Sequence, residues 1–130
     1  MSMIIGENIF DQLLKEAAVN PRLRTNFDLR GSSADTSQRM LNALMPGTVV
    51  PVHRHLATPE TVVLLKGRIA EIYFDDNGNE TERIELDANG ANRGVQIDAG
   101  RWHTIEVHEP SVIIEMKDGA YAPLTPDEVK

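Results

Sequence analysis

The run G-T-V-V-P-V-H-R-H-L-A-T-P-E-T-V-V-L-L-K-G (47–67) decides how this chain is read. It sets His53 and His55 two residues apart, follows them with Glu60, and carries a glycine at each end. A second run, D-A-G-R-W-H (98–103), ends on His103. In a strand, residues i and i+2 share a face roughly 6–7 Å apart, close enough for two imidazoles to close on one ion. A lone H-x-H is more often a surface or core pair. A fitting glutamate and a distant third histidine change that balance. Three imidazoles and one carboxylate form a donor set for a single divalent transition metal ion. The reading expects a strand near 49–55, a turn at Thr58-Pro59, and Glu60 opening a strand beside the first.

The same residues carry a family resemblance. The spacing of Gly47, His53, His55, Glu60 and Gly67 matches the first cupin motif along its whole length. The second motif matches at Gly100 and His103. It departs at Asp98, where proline is usual, at Asn92, where a glycine is usual (Gly94 lies nearby), and at Val107 in place of the closing asparagine. More narrowly, the chain resembles the WbuC-type cupin-fold metalloproteins. The matching stretches are P-R-L-R-T-N-F-D-L-R (21–30), Q-R-M-L-N-A-L-M-P-G-T (38–48), H-R-H (53–55), P-E-T-V-V-L-L-K-G-R (59–68), F-D-D-N-G (74–78) and W-H-T (102–104). The resemblance implies a metal-binding jelly roll. It also implies an association with bacterial surface-polysaccharide gene clusters, in a family whose reaction is not established.

Composition sets the bounds. A chain of 130 residues suits one domain with one core. Cysteine is absent, so disulfides and thiolate metal sites are excluded and any metal must use nitrogen and oxygen donors. The ion could be Zn, Fe, Mn, Ni or Co. Ligand imidazoles must be neutral, so metal affinity is expected to fall as pH drops through about 6. The net charge of −7 and pI near 5.0 disfavour nucleic acid, because an acidic surface repels phosphate backbones. No apolar run is long enough to span a bilayer. The opening M-S-M-I-I-G-E does not read as a signal peptide. A cytoplasmic location and no membrane partner are expected.

Along the chain, Ile9, Phe10, Leu13, Leu14, Ala17 and Ala18 recur at helical spacing, and Asn20-Pro21 ends the pattern. The helix and the following loop form an N-terminal extension over 1–37. Short strands then follow near 38–45, 49–55, 60–66, 68–74, 80–86, 95–97, 103–107 and 111–117, separated by turn residues such as Pro46-Gly47 and Asn77-Gly78. The expected fold is mainly β, a single-domain cupin-type jelly-roll β-barrel over 38–117 preceded by a short N-terminal α-helix. Residues 118–130 read as a surface tail. The apolar helix stripe and the open sheet edges lead to an expected homodimer.

Strand parity assigns faces. His103, Ile105 and Val107 share one face, which is apolar apart from the histidine. Trp102 and His108 point away from it. Glu60 shares a face with Val62, Leu64 and Lys66. The pocket beside the ion is therefore expected to be largely apolar with few polar groups. Arg24 and Arg30 could grip an acidic ligand, because guanidinium offers paired donors. Gln38, Asn42 and Lys66 are further candidates for substrate contact. No nucleophile elbow, P-loop or dinucleotide fingerprint occurs.

Two functions fit these residues. One is an enzyme, an isomerase or epimerase of a sugar or sugar-nucleotide, or a dioxygenase, in which the metal polarises an oxygen or activates a bound molecule. No residue is marked as the base that proton abstraction would need. The other is a binding or sensing module that holds a small sugar or organic acid without turnover.

Overall fold

The structure is a computed structural model and describes residues 2–130. Helix α1 (Glu7–Val19) is followed by eight strands: β1 (Arg24–Asp28), β2 (Ser37–Leu44), β3 (Glu60–Lys66), β4 (Arg68–Phe74), β5 (Glu80–Asp87), β6 (Gly94–Ile97), β7 (Trp102–Val107) and β8 (Ser111–Asp118). They form two sheets, ordered β1-β2-β8-β3-β6 and β5-β4-β7. All pairings within the sheets are antiparallel. No described helix is long and apolar enough to cross a membrane.

The alternation of each strand builds the barrel. Leu44, Val62, Leu64 and Ile113 on the larger sheet face Ile69, Tyr73, Leu86 and Val107 on the smaller one. The opposite face of the larger sheet is apolar too. Leu41, Ala43 and Val112 meet Phe10, Leu13 and Ala17 of α1. The helix stripe is thus covered by its own chain, so the expected homodimer loses that motive and keeps only the sheet edges. Ala18, counted in the stripe, is exposed.

Three sequence expectations are corrected here. The sheet begins earlier than expected, because Arg24–Asp28, inside the stretch read as helix and loop, pairs with β2 from Arg24↔Leu44 to Asp28↔Met40. The expected strand at 49–55 is reduced to isolated bridges at His53. Pro51 has no N–H to give a ladder. The carbonyl of Pro51 accepts from His53, and that of Val50 accepts from Thr104 Oγ1. Finally, Glu60 does not open a strand beside that segment. Its strand β3 pairs with β6 and β8.

The C-terminal residues are fastened to the barrel. Val129 bridges His53, flanked by Arg54 N–H donating to Glu128 O at 2.9 Å and Lys130 N–H donating to Val52 O at 3.0 Å. A short 3-10 turn at Pro126–Glu128 carries a capping box with Thr125. The second carboxylate oxygen of Glu128 accepts from Leu56 N–H at 3.0 Å.

The β3–β4 corner supplies a test of packing. Gly67 has φ +91°, and a Cβ there would collide with Ser111 Oγ and lie 2.5 Å from Pro110 O. Gly78 has φ +83° with nothing within 4 Å of such a Cβ. Gly78→Ala should cost about 1 kcal/mol of backbone strain. Gly67→Ala should cost about 2 kcal/mol more, for the added clash. Urea unfolding of both variants checks this, and equal costs would contradict the packing argument.

Candidate metal centre

The three histidines meet where the two sheets face each other. His53 and His103 exchange backbone hydrogen bonds of 3.0 and 2.9 Å, which draws the loop before β3 against β7. His55 follows, with its carbonyl accepting from Gly100 N–H at 2.7 Å. Glu60 arrives from the opposite sheet as the first residue of β3. One ligand atom from each of His53, His55 and His103 lies within 4.8 Å of the others. Glu60 completes the group, with His55 Nε2–Oε2 at 3.1 Å and His103 Nε2–Oε1 at 3.9 Å.

Local hydrogen bonds orient the rings. His53 Nδ1–H donates to Pro51 O at 2.9 Å, and His103 Nδ1–H donates to Arg101 O at 2.9 Å. Both rings therefore turn an Nε2 lone pair inward, as the outer-shell partners of metal-binding histidines do. His103 Nε2 is buried and has no hydrogen-bond partner among the described residues. A buried acceptor left in that state is costly, and a cation would satisfy it. His55 differs. Its Nδ1 lies 3.2 Å from Lys117 Nζ, and an ammonium only donates. Its Nε2 then carries the proton that reaches Glu60, and a cation bound there would displace that proton.

Electrostatics favours the same donors. Burial pushes His103 down to about 4, with His53 adding to the shift. Burial also lowers His53. Burial alone would raise Glu60, but the hydrogen bond from His55 and the charges of its neighbours outweigh it and bring its carboxyl below the ordinary range. Two neutral imidazoles beside an ionised carboxylate fit a divalent ion.

Two cavities adjoin more than one donor of the cluster. The outer one, of about 240 Å³, is bounded by Gln38, Arg30, His53, His55, Lys117 and the tail residue Tyr121. The inner one, of about 180 Å³, reaches Arg24, Asn42, Glu71, His103 and Glu115. Apolar atoms form most of either wall, as parity led one to expect, but the polar groups are many rather than few. The expectation missed Glu71, Glu115 and Lys117, which share the inward face with Ile69, Tyr73 and Ile113. Glu71 is fully buried, and both its oxygens lack partners among the described residues. Burial raises its carboxyl well above the ordinary range, and the charges of Glu115 and Glu60 add to this. Glu115 lines both cavities and is raised to about 8, first by burial and then by Glu60, against a lowering hydrogen bond from Asn42. For Glu71 the available signal was its place between Ile69 and Tyr73 on one face of β4.

The other candidates divide. Gln38 donates to Gly119 O at 3.1 Å and still bounds the outer cavity. Arg24 donates to Val49 O at 2.6 Å beside the inner one. Lys66 is corrected, since it lies away from the site with its ammonium 2.7 Å from Glu7 and 3.6 Å from Asp11 of α1. A bulge between Leu64 and Lys66 breaks the parity that placed it with Glu60. Trp102 faces outward as expected, under Arg54 and Lys130, with Nε1–H donating to Asp76 at 3.1 Å. His108 pairs with Glu85 at 2.8 Å, away from the cluster.

No curated protein matches the sequence. Among solved structures, the chain is similar to the capsular polysaccharide assembling protein CapF from Staphylococcus aureus, with TM-score 0.69 and 21% identity over 85% of this chain and 30% of that one. The chain thus spans less than a third of CapF. A cupin superfamily protein from Desulfitobacterium hafniense aligns with TM-score 0.58 and 16% identity, over 73% of this chain and 76% of its own. A Bacillus subtilis oxalate decarboxylase, described with Mn(II) centres, aligns with TM-score 0.59 and 15% identity over 77% and 26%. These likenesses give the fold, a cupin-type barrel behind an N-terminal helix. Residues 5–86 match the model described as "Domain of unknown function (DUF6016)", and the chain belongs to that family.

Proposed function

We propose that His53, His55, Glu60 and His103 hold one divalent transition metal ion, and that the adjoining cavities receive a small hydroxylated molecule such as a sugar derivative. The observation that carries this reading is the buried, unpartnered Nε2 of His103 beside two further histidines. Such an ion would act as a Lewis acid on a ligand oxygen. The chain's own groups would do the rest. His53 and His103 are held in one tautomer by backbone carbonyls, so their orientation is set before any ligand arrives. Glu115, on the wall of both cavities, is a carboxyl raised into the range where it can take or give a proton near neutral pH. The sequence reading lacked such a group, and its presence favours an isomerase or epimerase over a passive binding module.

Kinship with the WbuC-type cupins, and a role in surface-polysaccharide metabolism, belong to this proposal. They are supported by the six matching stretches and by a neighbour described as a capsular polysaccharide assembling protein. Cavities of about 240 and 180 Å³ suit a monosaccharide better than a sugar-nucleotide. Homodimerisation through the sheet edges is also proposed. Light scattering at a mass near 14.4 kDa at all concentrations would contradict it.

The functional test is a screen of monosaccharide derivatives with metal-loaded protein and matched chelated protein. Turnover that vanishes on chelation, returns with one metal and is abolished by Glu115→Gln is the expected result. Metal-dependent binding without turnover would make the protein a binding module. If no derivative binds, and chelation lowers only thermal stability, the ion is structural and the proposal fails.

A further inference from the structure

The outer cavity has an electrical character that the metal donors do not explain. The chain carries a net charge of −7, and this wall sets Arg30, Arg39 and Lys117 among Asp28, Glu60 and Glu115. Arg39 is committed to Asp35 at 2.9 Å and to Ser37 O at 2.7 Å. Arg30 is only half committed. Its Nε and Nη2 grip Asp28 at 3.0 and 2.7 Å, while Nη1 is buried and finds no acceptor among the described residues. The Tyr121 ring lies 5.9 Å from this guanidinium, and the Arg30 side chain is 11% exposed. Lys117 has no carboxylate within 4 Å among the described residues, and its one side-chain partner is His55 Nδ1. A buried guanidinium nitrogen without an acceptor is as costly as any orphaned polar group.

We propose that the outer cavity binds the carboxylate end of a small hydroxylated acid, with Arg30 and Lys117 as its anchors and the hydroxylated end directed at the histidine cluster. This rests on the reading of the cavity as a small-ligand site and narrows its ligand from sugar derivatives in general to those bearing a carboxylate. Charge-assisted hydrogen bonds from both cations give the acid its advantage over the neutral polyol. Asp28 and Tyr121 hold the guanidinium in place and are positioning residues.

Gluconate and glucitol make the test pair, because they share a carbon skeleton and differ in the carboxylate. Saturation-transfer NMR at millimolar ligand is run on wild type, Arg30→Gln and Lys117→Gln, and metal content is measured on the same samples. The wild type should prefer gluconate by about tenfold or more. Each substitution should remove most of that preference, and Arg30→Gln, at a residue that touches no metal donor, should leave the metal in place. Equal binding of the two probes, no binding of gluconate, or a preference that survives both substitutions overturns the proposal. The metal reading fails separately: wild type with no metal, but with a gluconate preference that depends on Arg30 and Lys117, would refute the ion and keep the anion site.

Discussion

Replacing His103 with alanine should strip the metal from the purified protein, the largest single effect expected of any substitution in this chain. His103 is 2% exposed and turns an unpartnered Nε2 into the cluster, so its loss removes a donor that no neighbour can replace. Loss of an outer-shell partner costs roughly 10–100-fold in metal affinity, and loss of a donor should exceed that. His53→Ala and His55→Ala should behave alike. His108→Ala, at a histidine paired with Glu85 outside the cluster, should leave metal content unchanged. Elemental analysis of protein purified without added metal decides the matter. Retained metal in all three cluster variants would remove the central claim. The pH dependence differs from the sequence expectation of a fall through about 6. Burial holds His103 neutral down to about 4, so proton competition at this donor sets in near 4.

How much of this was legible beforehand follows from which interactions are local. The strands β2 to β8 could be read because alternation and turn residues mark them directly. The first strand could not, since R-T-N-F-D is polar, lies on a sheet edge and is half exposed, so it lacks a periodic signature. His53, His55, Glu60 and His103 could be read from spacing, although the reason offered for the first pair was wrong. They sit on an irregular segment held by His103 and Val129, not on a strand with its own ladder. Lys66 was misplaced by a bulge, which a period-two count cannot see. Glu71, Glu115 and Lys117 went unremarked because burial depends on which face the sheet turns inward. On β8 the apolar Val112 and Ile114 lie on the outer face, which α1 covers, so apolarity did not mark the inward face there. The tail read as a surface extension because its fastening to Val52 and Arg54 uses backbone groups that carry no sequence signal.

The raised carboxyls lead to the second large effect. The metal-free protein should lose stability as pH rises from 6.5 to 8. The sign follows from two opposed groups. His103 has a folded value of about 4 against 6.5 when free, so the unfolded chain binds the extra proton between those values, and stability falls as pH drops through that window. Glu115 is raised to about 8 from 4.5, so the unfolded chain releases its proton first, and stability falls as pH rises from 4.5 toward 8. The two oppose each other between 4.5 and 6.5. Above 6.5 the carboxyl acts without opposition, and one retained proton over that interval is worth about 2 kcal/mol. Glu71, raised in the same direction, adds to the slope. Glu115→Gln keeps the shape and the hydrogen-bonding capacity but cannot ionise. The variant should show a shallower slope and, from near parity at pH 4.5, exceed wild type by about 4 kcal/mol at pH 8. Urea unfolding of chelated wild type and variant across this range measures it. A flat wild-type profile, or one that Glu115→Gln leaves unchanged, would mean that Glu115 is ionised in the fold and would withdraw it as the proton-transfer group. A divalent ion beside Glu60 favours ionised carboxylates nearby, so loading the metal should flatten the wild-type slope as well. That response would tie the raised acids to the metal centre as one electrostatic unit.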